Sequence, residues 1–502
     1  MQTNMRDYYS NACLIVLVVF CTCVQPGLFG QPEVQELSQK VDESFCEYQS
    51  AIHDPKCSQE EIKTLEKKYL LLKAAFVKES SKSINFSFVS QLPMNELISR
   101  TISKVFSDSQ VVESDMDIVF PETDDNYLML LQGENFWDRV IKQMKNAKSS
   151  VHVQMFGMEA DKTGWEIAEL LCKKAKSGIE VRIVADRMGA RMAGFRNVFS
   201  NTEEEKLFKF YSDNGVQVVF FDQISRGTTF SKKLDFYHFD HRKSFIIDGE
   251  IAFTGGYTLQ RPSREEKHDL MIRAQGSVVN QMQASFLLSF RYNGGKMPSL
   301  SPEEIKRRYF PLKPSSAKMQ AKLELNVPRG NHSLSDSYIR EIDCARNYLY
   351  IINPYITDDD MVKHICAAAK RGVNTVLVLP GQAENKLNDA NTRYHFEEFL
   401  LSGVKIYLYQ GKKNLGKLHA KGLIRDDSFA SFGSCNMDTM ALRHNYEQNI
   451  TSTNNLFVRQ VKNELFERDF KVSQLFVPPE GFLEKAKIRL KGKATQILDR
   501  WD

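Results

Sequence analysis

The chain has 502 residues, 42% of them hydrophobic and 26% charged, which excludes a disordered polypeptide and is too long for one ordinary core. The formal net charge is only +4, so composition does not mark a nucleic-acid binder, and any preference for anions has to come from a local patch. Nine cysteines occur without a C-x-x-C pair, which argues against a zinc ribbon.

Ala12 to Val24 is an apolar run closed by the breaker Pro26-Gly27. It is short of the roughly 20 residues of a spanning helix and matches a signal peptide or a marginal anchor, so residues 1–30 are expected to direct export or membrane tethering. Residues 31–125 are expected to form a helical region followed by a linker. Ser58 and Glu61 form a capping box, and Ile62, Leu65, Tyr69, Leu72 and Phe76 recur at helical spacing. The Ser- and Asp-rich residues 81–125 read as the linker. Cys172, Cys344, Cys366 and Cys435 sit among apolar or small residues, as buried reduced thiols do. Export would allow Cys46 and Cys57 to pair.

Two α/β units follow, at 126–295 and 321–502, joined by the proline-rich stretch 296–320. Each runs from a strand (Val151 to Phe156; Tyr348 to Asn353) through a helix to a second apolar strand after Lys176-Ser-Gly178 or Lys370-Arg-Gly372. Each then reaches a strand announced by Asn214-Gly-Val or Ser402-Gly-Val. The first copy carries an insertion around 190–210 and a basic loop from Arg226 to Lys233. The fold class expected is α/β, with two tandem halves, each a mixed sheet flanked by helices, packed about a pseudo-two-fold axis. A basic tail, Lys485 to Lys493, ends the second half.

Each half then carries the same motif. The first is His241-Arg-Lys243 with Asp248, followed by Gly255-Gly256-Tyr-Thr258. The second is His419-Ala-Lys421 with Asp426, followed by Gly433-Ser434-Cys-Asn436. Residues two apart on an extended strand share a face, so each His and its Lys point the same way. Two such pairs facing each other supply a nucleophile, an acid and two ammonium groups. Asp248 and Asp426 fall at hairpin turns on the odd face, and are expected to be structural together with Gly255, Gly256 and Gly433. His238 lies three residues from His241, the wrong spacing for a shared strand face, so no metal pair is expected there.

These residues and their repeat resemble the phospholipase D superfamily, most closely its bacterial cardiolipin synthase-like branch, over residues 127–475. The resemblance implies one active site between the halves, a phosphohistidine intermediate, and no metal or other cofactor. His241 is implied as nucleophile and His419 as general acid/base. Asp269 and Glu447, each 28 residues after a motif histidine, are implied as the acids that hold the histidines' second nitrogens. Thr258, Ser434 and Asn436 are implied near the phosphate, with Gly256 and Thr258 departing from the Ser and Asn of the second copy. The expected substrate is a phospholipid at a membrane surface, hydrolysed or transferred by a chain that is catalytically complete as a monomer. A metal-independent nuclease is the alternative, with the loop Ser225 to Lys233 as backbone contact, and a non-catalytic binding protein is a third reading.

Overall fold

The computed structural model describes residues 40, 64, 68, 93–187, 189, 202–221, 238–311, 313, 316–328, 330–411 and 416–481. The apolar run at 12–24, the capping box at Ser58, Cys46, Cys57, the basic loop at 226–233 and the basic tail lie outside these residues. No helix among the described residues is long and apolar enough to cross a membrane.

The first half contributes β1 (Thr123–Gln132), β2 (Ser150–Met155), β3 (Glu180–Asp186), β4 (Gln217–Phe221), β5 (Ser244–Ile247), β6 (Ile251–Gly255), β7 (Lys267–His268) and β8 (Leu270–Gln275). The second contributes β9 (Met319–Asn326), β10 (Tyr348–Ile352), β11 (Asn374–Pro380), β12 (Lys405–Tyr409), β13 (Lys417–Leu418), β14 (Gly422–Arg425), β15 (Phe429–Gly433), β16 (Glu447–Ser452) and β17 (Ser473–Leu475). The halves are not two separate sheets. They join in one 15-stranded sheet, ordered β17-β12-β11-β10-β14-β15-β16-β9-β1-β8-β6-β5-β2-β3-β4. Read outwards from the β1–β9 seam, both arms run through corresponding strands, so the repeat is written into the strand order. At the seam, Thr123 pairs with Ala321 and Asn126 with Met319, antiparallel and across a bulge.

Local chemistry explains the matching arms. Helix Lys162–Lys176 starts at Asp161, whose carboxylate accepts from the Gly164 amide, and helix Asp359–Lys370 starts at Asp358, which accepts from Asp360 and Met361. Beyond them Gly178 (φ 85°) and Gly372 (φ 91°) supply the left-handed residue that ends a helix. The chain then returns as a parallel strand, β3 on β2 and β11 on β10, the connection that needs a crossover helix.

Helix Ser277–Tyr292 is buried along its length, from Val278 to Phe290. It belongs to the core shared by the halves, with Ile272, Leu323, Phe432 and Ile450. Separate cores lie in the first half, around Trp137 and Phe245, and in the second, around Tyr338 and Leu423. Within 81–125, expected as a linker, Met94–Val105 is instead a helix, with Leu97, Ile98, Thr101 and Val105 buried. Its apolar spacing of one, three and four residues makes one face, and that face joins the shared core. Cys172, Cys366 and Cys435 are buried thiols, but Cys344 is exposed, because it closes helix Ser333–Cys344 at the surface.

Candidate active site

Both motifs end an irregular segment that leads straight into a strand: Lys243 precedes β5 and Lys421 precedes β14. The hairpins behind them, β5–β6 and β14–β15, turn at Asp248 (φ 56°) and at Asp426 and Asp427 (φ 51° each). A left-handed aspartate is strained, and the turn carboxylates offset that strain by collecting amides. Asp248 accepts from the amides of Lys148, Ser149 and Ser150 at 2.7–3.0 Å. Asp426 accepts from Arg346, Asn347 and Tyr348 at 2.8–2.9 Å. Each aspartate thus fastens its hairpin to the loop before β2 or β10. Gly255 and Gly433 sit where neighbouring strands close in: a Cβ would stand 2.1 Å from the Leu270 carbonyl oxygen and 2.2 Å from that of Gln448, respectively.

The two histidines are docked by backbone across the halves. The His241 amide donates to the carbonyl of Tyr446 at 3.0 Å, and the His419 amide to that of His268 at 2.9 Å. Each histidine therefore lies beside the residue that precedes the other half's acid. The side chains follow: Nδ1 of His241 is 2.7 Å from Oε1 of Glu447, and Nδ1 of His419 is 2.6 Å from Oδ2 of Asp269. The acids thus cross over. The one 28 residues downstream in the same half is not the partner; the one in the opposite half is.

Lys243 Nζ donates to the His241 carbonyl at 2.5 Å and stands 5.1 Å over the ring of Phe156, which meets His241 edge-on at 4.8 Å. Lys421 Nζ donates to the His419 carbonyl and lies 2.7 Å from His419 Nδ1. Lys243, Lys421, Asp269 and Glu447 are wholly buried, and the two imidazoles nearly so.

Electrostatics follow from that burial. Both imidazoles are held well below the ordinary histidine range, first by desolvation and then by the ammonium groups around them. Desolvation pushes Lys243 down to about 7 and Lys421 to about 8. It pushes Glu447 up to about 8 against the pull of Lys243, and it raises Asp269 against Lys421. Within each His–acid pair, burial moves both partners towards their neutral forms. An arriving anion favours the charged forms of the lysines and imidazoles and opposes ionisation of the two acids.

The implied phosphate contacts separate. Ser434 donates to Oε2 of Glu447 at 2.5 Å, while Asn436 keeps Oδ1 buried without a hydrogen-bond partner. The Thr258 hydroxyl donates to Oε1 of Gln260 at 2.8 Å, closing a turn with Ser263. Gly256 is required where Ser434 stands in the other half, since a Cβ there would meet Oδ1 of Asp269 at 2.2 Å.

Further residues join the site without having been signalled by the motif. Arg242, fully buried, forks onto Asp240 at 2.7 and 3.0 Å, and Gln154 donates to the same carboxylate at 2.6 Å, clamping both neighbours of His241. Lys267, on β7, is buried and ion-paired at 2.8 Å with Glu384 of the second half. Its ammonium lowers both motif histidines. The alternation of Lys267 with Asp269 was the available signal. His268 pairs with Asp469 at 2.8 Å and stacks on Tyr409, and His238 contacts the His444 carbonyl at 2.6 Å. Among the described residues no group of three His, Cys, Asp or Glu side chains could hold a metal ion.

Two imidazoles, two ammonium groups and two crossed carboxylates are thus drawn together from both halves, the set of groups expected of a double-histidine site of the phospholipase D type. The cardiolipin synthase, PLD-like domain family matches residues 140–288 and 338–470. A probable cardiolipin synthase of Bacillus subtilis, YwiE, is 28% identical over 370 residues, covering 72% of this chain and 69% of that protein. Cardiolipin synthase 1 of Bacillus cereus is 28% identical over 357 residues, 69% of this chain and 66% of its own length. The match thus spans about two thirds of these relatives. The phosphatidylserine synthase of Haemophilus influenzae Rd KW20 shares the fold, with a TM-score of 0.54 at 16% identity, over 74% of this chain and 94% of that one. The chain belongs to the PLD-like cardiolipin synthase family.

Proposed function

We propose that the chain is a phosphatidyltransferase that moves the phosphatidyl group of one phospholipid to the alcohol of another, cardiolipin synthase-like, through a phosphohistidine. The observation that carries this reading is the crossed pairing, which gives one chain two oriented imidazoles over a lysine pair. His241 touches only Glu447 at Nδ1, which favours a proton on Nδ1 and a free lone pair on Nε2, the form that attacks phosphorus. His419 has the Asp269 carboxylate 2.6 Å from Nδ1, which accepts the Nδ1 proton and stabilises the imidazolium whose Nε2 proton a leaving alkoxide can take. Lys243 and Lys421 meet the non-bridging oxygens. The incoming anion favours the protonated forms of both lysines and of His419.

In the first step a P–N bond forms at His241 as the ester P–O bond breaks, and the His419 proton goes to the departing headgroup oxygen. In the second, the acceptor alcohol gives its proton to His419 while its oxygen attacks phosphorus. The P–N bond breaks, and both imidazoles return to their starting forms. Water in place of the alcohol gives hydrolysis.

The substrate places the site at a membrane surface, and one chain supplies every group named. The test is direct. Purified full-length chain is incubated with vesicles of labelled phosphatidylglycerol, and in parallel with phosphatidylcholine and DNA. Cardiolipin and free glycerol from the first are expected. Turnover of DNA with no lipid product would replace this reading by the nuclease one.

A further inference from the structure

The strands β7 and β13 run parallel, with Lys267 opposite Lys417 and Leu418 opposite His268. The next rung in that register is the reaction centre itself, Asp269 beside His419. Side chains alternate along an extended chain, so Lys267 and Lys417 share a face with Asp269 and His419, roughly 7 Å further along at about 3.3 Å per residue. Like charges directly opposed on paired strands repel. Here each has its own counter-ion: Lys267 pairs with Glu384 at 2.8 Å and Lys417 with Glu266 at 2.7 Å. Both acids reach water, Glu384 at 47% and Glu266 at 42% exposure, so each can turn to solvent when another anion arrives.

The corresponding rung on the other side carries no charge. Asp240 bridges Tyr446 in parallel, which sets Phe239 opposite Asn445 two rungs from His241 and Glu447. There the Phe239 amide donates to Oδ1 of Asn445, and Phe239 packs 6.0 Å from Phe156. Among the described residues a lysine pair thus lies on the His419 side alone, the side given above to the acid/base that deprotonates the acceptor.

We propose that Lys267 and Lys417 form a second phosphate subsite, which takes the phosphate of a glycerol-bridged acceptor lipid and so favours transfer to that lipid over transfer to water. A three-carbon bridge between two phosphates spans those two rungs. The inference rests on the phosphatidyltransferase reading, and it assigns the acceptor side of that reaction.

The test exploits a common intermediate. The phosphoenzyme partitions among acceptors, so product ratios report the second step alone and are unaffected by how much enzyme is folded or how fast the first step runs. Full-length chain acts on phosphatidylglycerol vesicles with ethanol as a competing acceptor that bears no phosphate. The ratio of the two-phosphate lipid to phosphatidylethanol is measured for wild type, Lys417→Met, Lys267→Met and Lys417→Arg. Loss of a charge-assisted contact is expected to lower that ratio about tenfold in each Met variant, while Lys417→Arg stays near wild type. An unchanged ratio in both Met variants overturns the subsite and leaves the transferase reading standing. A wild type that makes phosphatidylethanol but no two-phosphate lipid removes the subsite together with the lipid acceptor, and a wild type without lipid turnover removes the proposed function itself.

Discussion

The two motif segments hold the same chemical pair by different means. Around His241 the neighbours are charged: Asp240 and Arg242 are buried against each other, with Gln154 bonded to the carboxylate and the Tyr446 ring 5.2 Å from the guanidinium. Around His419 the same two places are Leu418 and Ala420, buried and apolar. What the halves keep in common is therefore the groups assigned to the reaction and the turn that holds them. Both keep an imidazole docked by its amide on the opposite half, and a lysine two residues on. Both place a carboxylate from across the seam at Nδ1, and an aspartate turn that gathers three amides. A buried ion pair is costly to break and adds little over apolar packing, so the fold can support the segment either way. The halves diverge again two rungs away, Phe239 and Asn445 against Lys417 and Lys267.

The sharpest way to break this comparison is to test which acid serves which histidine. Glu447→Gln and Asp269→Asn are each expected to lower kcat by about 10²–10⁴, as loss of a histidine's orienting carboxylate does. A double-mutant cycle should couple Glu447 to His241 and Asp269 to His419. Coupling within each half instead would contradict the crossed arrangement.

The lysines come next. Lys243→Met and Lys421→Met are each expected to cost about 10²–10³ in kcat by removing charge from the phosphoryl oxygens. Melting temperature should rise by about 1 °C per kcal/mol gained, because a buried ammonium is replaced by an apolar chain of similar length. A drop in melting temperature alongside the loss of rate would mean the lysines hold the fold.

The pH dependence follows the same groups. Lys243 at about 7 and Lys421 at about 8 lose their protons as pH rises, so kcat/KM should fall above neutrality. Both imidazoles are held well below their usual range, and one must be neutral while the other is protonated, so both limbs of that coupled pair lie below pH 6.5 in the free enzyme. A rate still climbing through pH 9 would show that the lysines are not needed charged. The turn aspartates should behave differently from all of these. Asp248→Asn and Asp426→Asn are expected to destabilise by about 1–3 kcal/mol, while kcat per folded molecule changes only a few-fold. Equal loss of rate in a stable Asp248→Asn variant would move that residue into the chemistry. The smallest effect expected is that of EDTA, none, because the lysines already supply positive charge to the phosphate.

Much of this was legible in the residues. The repeat, the two H-x-K motifs and the aspartate turns are local patterns, read from spacing on a strand and from turn chemistry. The acids Asp269 and Glu447 were legible as acids at a matched offset, but not as crossed partners. An offset along one chain carries no information about strand pairing across the seam, and that pairing is set by the amides of His241 and His419 on Tyr446 and His268. Lys267 was hidden for the same reason: its importance depends on Lys417 lying opposite. The helix at Met94–Val105 was masked by its Ser- and Asp-rich surroundings, although Leu97, Ile98, Thr101 and Val105 trace a helical face. The fusion of both sheets through β1 and β9 has no motif at all.

The central claim is that the halves share one site but divide its labour, with His241 attacking and His419 moving the proton. Trapping tests it most directly. A phospholipid-like diester with a good leaving group and labelled phosphorus is given to His419→Ala, and the quenched protein is mapped for phosphohistidine. The label is expected on His241, because attack still proceeds while release of the intermediate is slowed. Label on His419 in a His241→Ala variant, with none on His241 in the reciprocal one, would contradict the assignment.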